Sequence, residues 1–428
     1  MKSNWLNSPM KKCVFALLAV FAVFESYAQG YADMIKSNPA MAAANLMNYH
    51  FEESVYTPAP KGYEEFYISH YGRHGSRYDA YDTNMAAVWP VMRLADSLGL
   101  LSEVGKEFYK EFDAVMREQE GMVGMLTPLG AVEHRAIAER MSTNFPKVFK
   151  GKDGRKEVFC QSSIVPRCIM SMANFVHSLS DNTKGLEFTY VTGKKYYDIL
   201  AYHPDVRPAL ELAKVKEDEH RRLVSKPLDL LAYFFNDVDK ALEIIGDPYT
   251  FEKCFYQACS VGHLTDYGVC LLKYIPEDIL IRNWEIRNMR FFYAYGMSEG
   301  TASHQVEVAR RIVKDFVDRA EAAVDDGNSV VADLRFGHDT GLLPFIGYIG
   351  LEGMYDRPDW ESVNLVWNTS VSMCMGSNIQ MIFYRNKQAE VLVKILYNEK
   401  ETSIPALKAV SGPYYRWSDL KVYLQNLI

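Results

Sequence analysis

The segment FYISHYGRHGSRY (66–78) constrains this chain more than any other stretch. A short, aromatic-rich apolar run of strand type stops at a glycine-containing turn that presents Arg73, His74 and Arg77 within one loop. An imidazole flanked by two guanidiniums suits phosphate chemistry. The arginines can grip a phosphoryl group bidentately while a neutral ring nitrogen attacks phosphorus, and that step needs no metal. A second strand-like run, SVVADLRF, is followed directly by GHDTGLLP, which places His338 and Asp339 at its end. Between them lie the helix-like LTPLGAVEHRAIAERM and the stretch VFCQSSIVPRCIMSMANFVHSL, which carries Arg167.

RHGSR after a strand, an arginine in a strand–Ser–helix segment and a downstream His-Asp, in that order, resemble the histidine acid phosphatases. This is the branch of the histidine phosphatase superfamily that contains phytases and multiple inositol polyphosphate phosphatases. The resemblance runs from about Phe66 to Pro344. It implies an α/β protein with a phosphoglycerate-mutase-like sandwich core and an inserted helical cap domain. It also implies a metal-independent, cofactor-free phosphomonoesterase that works through a phosphohistidine. Carried over residue by residue, it makes His74 the nucleophile, Arg73, Arg77, Arg167 and His338 the cationic clamp, and Asp339 the group that protonates the leaving alkoxide and then activates water. A plainer reading of His338 and Asp339 is a helix N-terminus that Asp caps.

Two departures from the family pattern stand out. Tyr78 and Asp79 follow the motif where the family often has a residue and then Pro. His338, Asp339 and Thr340 stand where inositol polyphosphate phosphatases carry His-Ala-Glu, the arrangement that resembles phytases and general acid phosphatases. The expected substrates are inositol polyphosphates. The alternative is a broad-specificity acid phosphatase acting on sugar phosphates and other small organic phosphates. A phosphate-ester binding protein without turnover would have no need of the proton donor Asp339 beside His74 and Arg77.

At the N-terminus, Lys11 and Lys12 precede VFALLAVFAVF, and Ser26 and Ala28 occupy the minus-three and minus-one positions of a cleavage site. Residues 1–28 are therefore expected to be a secretory signal peptide, and the mature chain a periplasmic or secreted protein. The apolar run is about half the length a membrane span needs, and Cys13 lies ahead of it, so no membrane anchor is expected. Losing Lys2, Lys11, Lys12 and Glu25 takes the formal charge from −7 to about −9. An acidic protein that binds phosphate must concentrate its cations locally, and such a charge does not suit nucleic acid. The expected partner is a small-molecule phosphate monoester, bound by a monomer.

Six cysteines remain after the leader, with Cys254, Cys259 and Cys270 the tightest cluster; one local bridge and buried free thiols are both compatible with it. No CxxC spacing supports a zinc site. Strand-like runs and amphipathic helices alternate around 62–78, 156–180 and 300–397. In the last region HQVEVARRIVKDFVDRAEAAV sets Val306, Ala309, Val313, Phe316, Val317 and Ala320 on one face, and SNIQMIFY and VLVKILY form a hairpin. Residues 195–298 read as helical throughout, which makes them the cap inserted between core segments 29–194 and 299–428. Lys184, Lys194, Lys195, Arg221 and Arg222 are its candidate cations for further phosphates.

Overall fold

The computed structural model describes residues 30–150, 156–201, 204–325, 328–354 and 356–428; the expected leader lies outside the described residues. Eight strands form one sheet: β1 (Glu64–Arg73), β2 (Glu157–Ser162), β3 (Glu187–Thr192), β4 (Val330–Gly337), β5 (Asn378–Arg385), β6 (Val391–Tyr397), β7 (Lys400–Thr402) and β8 (Tyr414–Arg416). Their order is β3-β2-β4-β1-β5-β6-β7, with β8 paired to β6. β1, β2, β3 and β4 run parallel, whereas β5 and β6 are the antiparallel hairpin expected from the sequence. The carboxyl ends of β1, β2 and β4 therefore open on one side, and the segments that follow them and carry His74, Arg167 and His338 leave the sheet together.

Alternation along β1 assigns its two faces. Tyr67 and Tyr71 join one apolar cluster and Ile68 joins another, as the two-residue period of a strand requires. The α-helices up to residue 348, in chain order, are α1 (30–37), α2 (Thr83–Ser97), α3 (Glu103–Gln119), α4 (Pro128–Asn144), α5 (Pro166–Asn182), α6 (Lys194–Leu200), α7 (Arg207–Val224), α8 (Pro227–Phe234), α9 (Val238–Ile245), α10 (Pro248–Cys259), α11 (Glu277–Tyr295), α12 (Ala302–Val324) and α13 (Asp339–Tyr348). The Tyr67 face is covered by α12 and α13. The Ile68 face is covered by α4 and α5, through Ile137, Met141, Phe175 and Leu179. The buried stripe of α12 includes Val308 and Ile312 beside the expected Ala309, Val313, Phe316, Val317 and Ala320, while Val306 is only half-buried.

A third apolar cluster lies off the sheet. Phe108, Phe112, Phe234 and Phe255 meet there in ring contacts, so α2 and α3 pack with α8 and α10 in one helical body. This cluster crosses residue 195, because it takes in helices on both sides of that position. Burying four such rings contributes roughly 1.5–3 kcal/mol each, which holds the helices of the body to one another. All six cysteines described are free thiols, so the cluster Cys254, Cys259 and Cys270 holds no bridge. Among the described residues no helix is long and apolar enough to cross a membrane.

Candidate active site

The loop after β1 is held from every side before any ligand enters. Arg73 N donates to Ser377 O, His74 N to Gly337 O, and Gly376 N to His74 O. Glu133, buried on α4, accepts from Ser76 N and Ser76 Oγ, both at 2.7 Å, and from Tyr49 N at 2.9 Å. The α4 N-terminus can come this close because two glycines face each other. A Cβ on Gly75 would stand 2.5 Å from Gly130 O, and one on Gly130 would stand 2.2 Å from Ser76 O. The sequence TPLG serves the same contact: Thr127 caps α4 through Gly130 N, Pro128 opens the helix, and Thr127 Oγ1 donates to Ser76 O. Sequence reasoning took this stretch only as a helix.

Within that frame the side chains named from the sequence come together. His74, Arg77, Arg167, His338 and Asp339 line one cavity of about 530 Å³, and Arg73 closes its floor by an ion pair of 2.7 Å from Nη2 to Asp339 Oδ2. His74 is 2% exposed. Its Nδ1 lies 2.9 Å from Gly75 O, and a backbone carbonyl can only accept. The proton therefore sits on Nδ1, and Nε2 keeps its lone pair. Burial, then the charges of Arg167 and Arg73, push the imidazole well below its usual pKa, so it stays neutral in mildly acidic medium.

The three arginines share one feature. Nε of Arg73, Arg77 and Arg167 is buried in each case and has no partner among the described residues. Other donors are engaged: Arg73 Nη1 with Asn45 O and Met373 O, Arg77 Nη1 with Tyr78 O, and Arg167 Nη1 with Gly124 O. Unsatisfied buried donors cost about 1–3 kcal/mol apiece, and an anion in the cavity can satisfy those of Arg77 and Arg167, which line it. Burial and the neighbouring Arg167 push Arg77 down to about 9, which leaves it charged at neutral pH.

His338 occupies the N-cap position of α13 without a side-chain cap bond, and its ring centroid lies 5.6 Å from that of His74. Its Nε2 lies 3.0 Å from Ser163 Oγ and 3.5 Å from Cys168 Sγ. Burial, with Arg167, lowers its pKa to about 3, so it is neutral. In the tautomer that has Ser163 donating to Nε2, the Nδ1–H is left to donate, which is how an uncharged imidazole can still bind an anion. Asp339 is the first residue of α13 and not its cap: among the described residues its Oδ1 accepts only from the adjacent Thr340 N, at 2.9 Å, and the side chain faces the cavity. Burial works to raise its pKa, but Arg73 and the Asn45 side-chain hydrogen bond hold it below the usual carboxylate range.

Asn45 was not singled out in the sequence, and no motif marks it. It lies in the 3-10 turn Pro39–Leu46, donates through Nδ2 to Asp339 Oδ2 at 3.2 Å and accepts at Oδ1 from Arg287 Nη2 at 2.9 Å. The cap cations expected from the sequence are also revised. Lys184, Lys194, Lys195, Arg221 and Arg222 do not line the cavity; Lys253, Arg287 and Arg290 do. Arg221 is buried against Asn283 and Glu252, and Arg222 lies over the Tyr249 ring. Among the described residues, no three His, Cys, Asp or Glu side chains form a metal-holding group.

No protein-family model and no curated protein matches the chain. Solved structures do. A multiple inositol polyphosphate phosphatase from Bifidobacterium longum, in complex with inositol hexasulfate, matches with a TM-score of 0.74 at 19% identity, over 90% of this chain and 97% of that one. A phytase from D. castellii gives 0.67 at 13% identity, over 91% and 85% of the two chains. A phytase from Hafnia alvei gives 0.53 at 12% identity, over 87% and 98%. The sheet, its flanking helices and the helical body of this chain thus have the histidine acid phosphatase fold, the fold of those phytases and of that inositol polyphosphate phosphatase.

Proposed function

We propose that this protein is an exported, metal-independent phosphomonoesterase that hydrolyses inositol polyphosphates through a phosphohistidine on His74. The observation that carries the reading is a neutral His74 with Nε2 free, in a cavity lined by Arg77 and Arg167 whose buried Nε donors lack partners among the described residues, with the charge of the buried Arg73 acting on the same ring. That is a receptacle for a phosphoryl group with a nucleophile at its base. Nε2 attacks phosphorus while the ester P–O bond breaks; the arginines and His338 Nδ1–H balance charge on the equatorial oxygens, and the alkoxide leaves with a proton from Asp339. Water, giving its proton back to Asp339, then displaces the imidazole and releases inorganic phosphate.

Because Arg73 keeps Asp339 ionised in the free protein, the transferred proton must arrive with the substrate. A phosphate monoanion carries one, and a bound dianion beside Asp339 raises the carboxyl so that it takes one up. Activity should therefore decline as pH rises above about 6, where phosphate esters lose their second proton.

Lys253, Arg287 and Arg290 favour a polyphosphorylated substrate over a sugar phosphate, since a single phosphoryl group would be served by the clamp alone. The bound inositol hexasulfate of the Bifidobacterium longum protein is consistent with this. In this reading 195–298 is the cap insertion that brings those cations, and 1–28 is the export signal. Comparing hydrolysis of phytate, para-nitrophenyl phosphate and glucose phosphates tests it. A preference for phytate supports it, and equal use of all three would favour the broad-specificity alternative.

A further inference from the structure

Behind the second group of cations lies a carboxylate that the reaction does not use. Glu217, on α7, has a side chain 1% exposed, whereas Lys253 and Arg290 are 27% and 26% exposed and line the cavity. Its Oε2 lies 3.0 Å from Lys253 Nζ and 3.0 Å from Arg290 Nε, and its Oε1 lies 3.5 Å from Arg221 Nη2. One buried carboxylate thus gathers cations from α7, α10 and α11. Burial works to raise its pKa, yet Lys253, Arg290 and Arg221 hold it below the usual carboxylate range.

A buried ion cluster is weak evidence for stability, because apolar side chains of similar volume would hold three helices at least as well. Its placement suggests another use. Lys253 and Arg290 each have several N–H donors and spend only part of them on Glu217, with Lys253 Nζ also 3.8 Å from Asp218 Oδ1, so further donors remain for a ligand. Long cationic side chains lose rotamer freedom when they bind an anion. Glu217 imposes that loss before substrate arrives, which lowers the entropy cost of binding.

We infer that Glu217 is a positioning residue that presets Lys253 and Arg290 for a phosphate of the substrate other than the one being transferred. It thereby sets the preference for polyphosphorylated over singly phosphorylated esters. The inference rests on the phosphomonoesterase reading above.

The test measures KM and kcat for phytate and para-nitrophenyl phosphate in the wild type, Glu217→Gln, Glu217→Asp, Lys253→Met and the Glu217→Gln/Lys253→Met double variant. Glu217→Gln should raise the phytate KM relative to the para-nitrophenyl phosphate KM about tenfold, and Glu217→Asp should recover part of that loss. In the Lys253→Met background the Glu217→Gln effect should shrink, because the two act through one contact. Equal losses on both esters, additive effects in the double variant, or an unchanged or lower phytate KM would overturn it. If Glu217→Gln does not fold, Lys253→Met carries the test: an unchanged ratio of the two KM values overturns the inference. A wild-type protein that hydrolyses neither ester overturns the active-site reading and this inference with it, a result distinct from wild-type turnover that Glu217→Gln leaves unaltered.

Discussion

The two walls of the cavity are built on different physical terms. On the sheet side, His74 is 2% exposed, Arg73 is fully buried, and the loop bearing them is tied to Gly337, Gly376, Ser377 and Glu133. On the helical side, Lys253 and Arg290 are about a quarter exposed and share a single carboxylate. The first wall is fixed by many short contacts and the second by few. Groups that must meet a reacting phosphorus need geometry held to fractions of an ångström, whereas groups that hold a distant phosphate can tolerate slack.

Substitutions on the two walls should therefore differ in kind. The largest effect belongs to His74. His74→Ala should lower kcat on every ester by roughly four orders of magnitude or more, with the circular dichroism spectrum unchanged. Several per cent of residual activity would remove His74 from the role of nucleophile. Next is Asp339→Asn, which should slow phytate hydrolysis by about two to four orders of magnitude and para-nitrophenyl phosphate much less, since nitrophenolate leaves without a proton. Equal losses on both would mean that Asp339 serves chiefly to hold Arg73. On the opposite wall Arg287→Met should act on KM for phytate, by about tenfold, more than on kcat. A fall in kcat comparable to that of Asp339→Asn would erase the distinction between the walls.

The same contrast decides what the sequence could reveal. The sheet-side groups sit just after strands, so their chemistry is compressed into RHGSR, the Arg167 segment and HD, three short motifs recognisable together by their order. The strand-like apolar runs and the closing hairpin were legible for a similar reason, because a short apolar run bounded by a turn is a local signal. Lys253, Arg287 and Arg290 lie on helices whose other faces are packed, and only the packing of α10 and α11 decides which cations reach the cavity. Arg221 looked equivalent in sequence and is turned into the protein instead, while Asn45 joins the site from an alanine-rich turn that no motif flags. The packing of α2 and α3 into the helical body was equally hidden, since it depends on partners more than one hundred residues away.

The smallest predicted effect concerns acid stability and compares the same two regions. His134, beside the sheet, and His263, in the helical body, are both pushed down to about 4 by burial, and His70 is also well below its usual value. Such groups charge first in the unfolded chain. Stability should be full above pH 6.5 and fall as pH drops toward 4. Urea midpoints measured across that window should decline steadily. A flat profile would mean that these imidazoles are protonated and partnered in the folded protein.

The most direct measurement is trapping of the phosphoenzyme. Wild type, His74→Ala and Asp339→Asn would be mixed with radiolabelled para-nitrophenyl phosphate, quenched and digested. The label is expected on the peptide containing His74, acid-labile and base-stable. It should accumulate in Asp339→Asn, which lacks the base for the second step, and be absent in His74→Ala. Label on any other residue, or steady-state turnover in the wild type with no trapped label in Asp339→Asn, would contradict nucleophilic catalysis by His74.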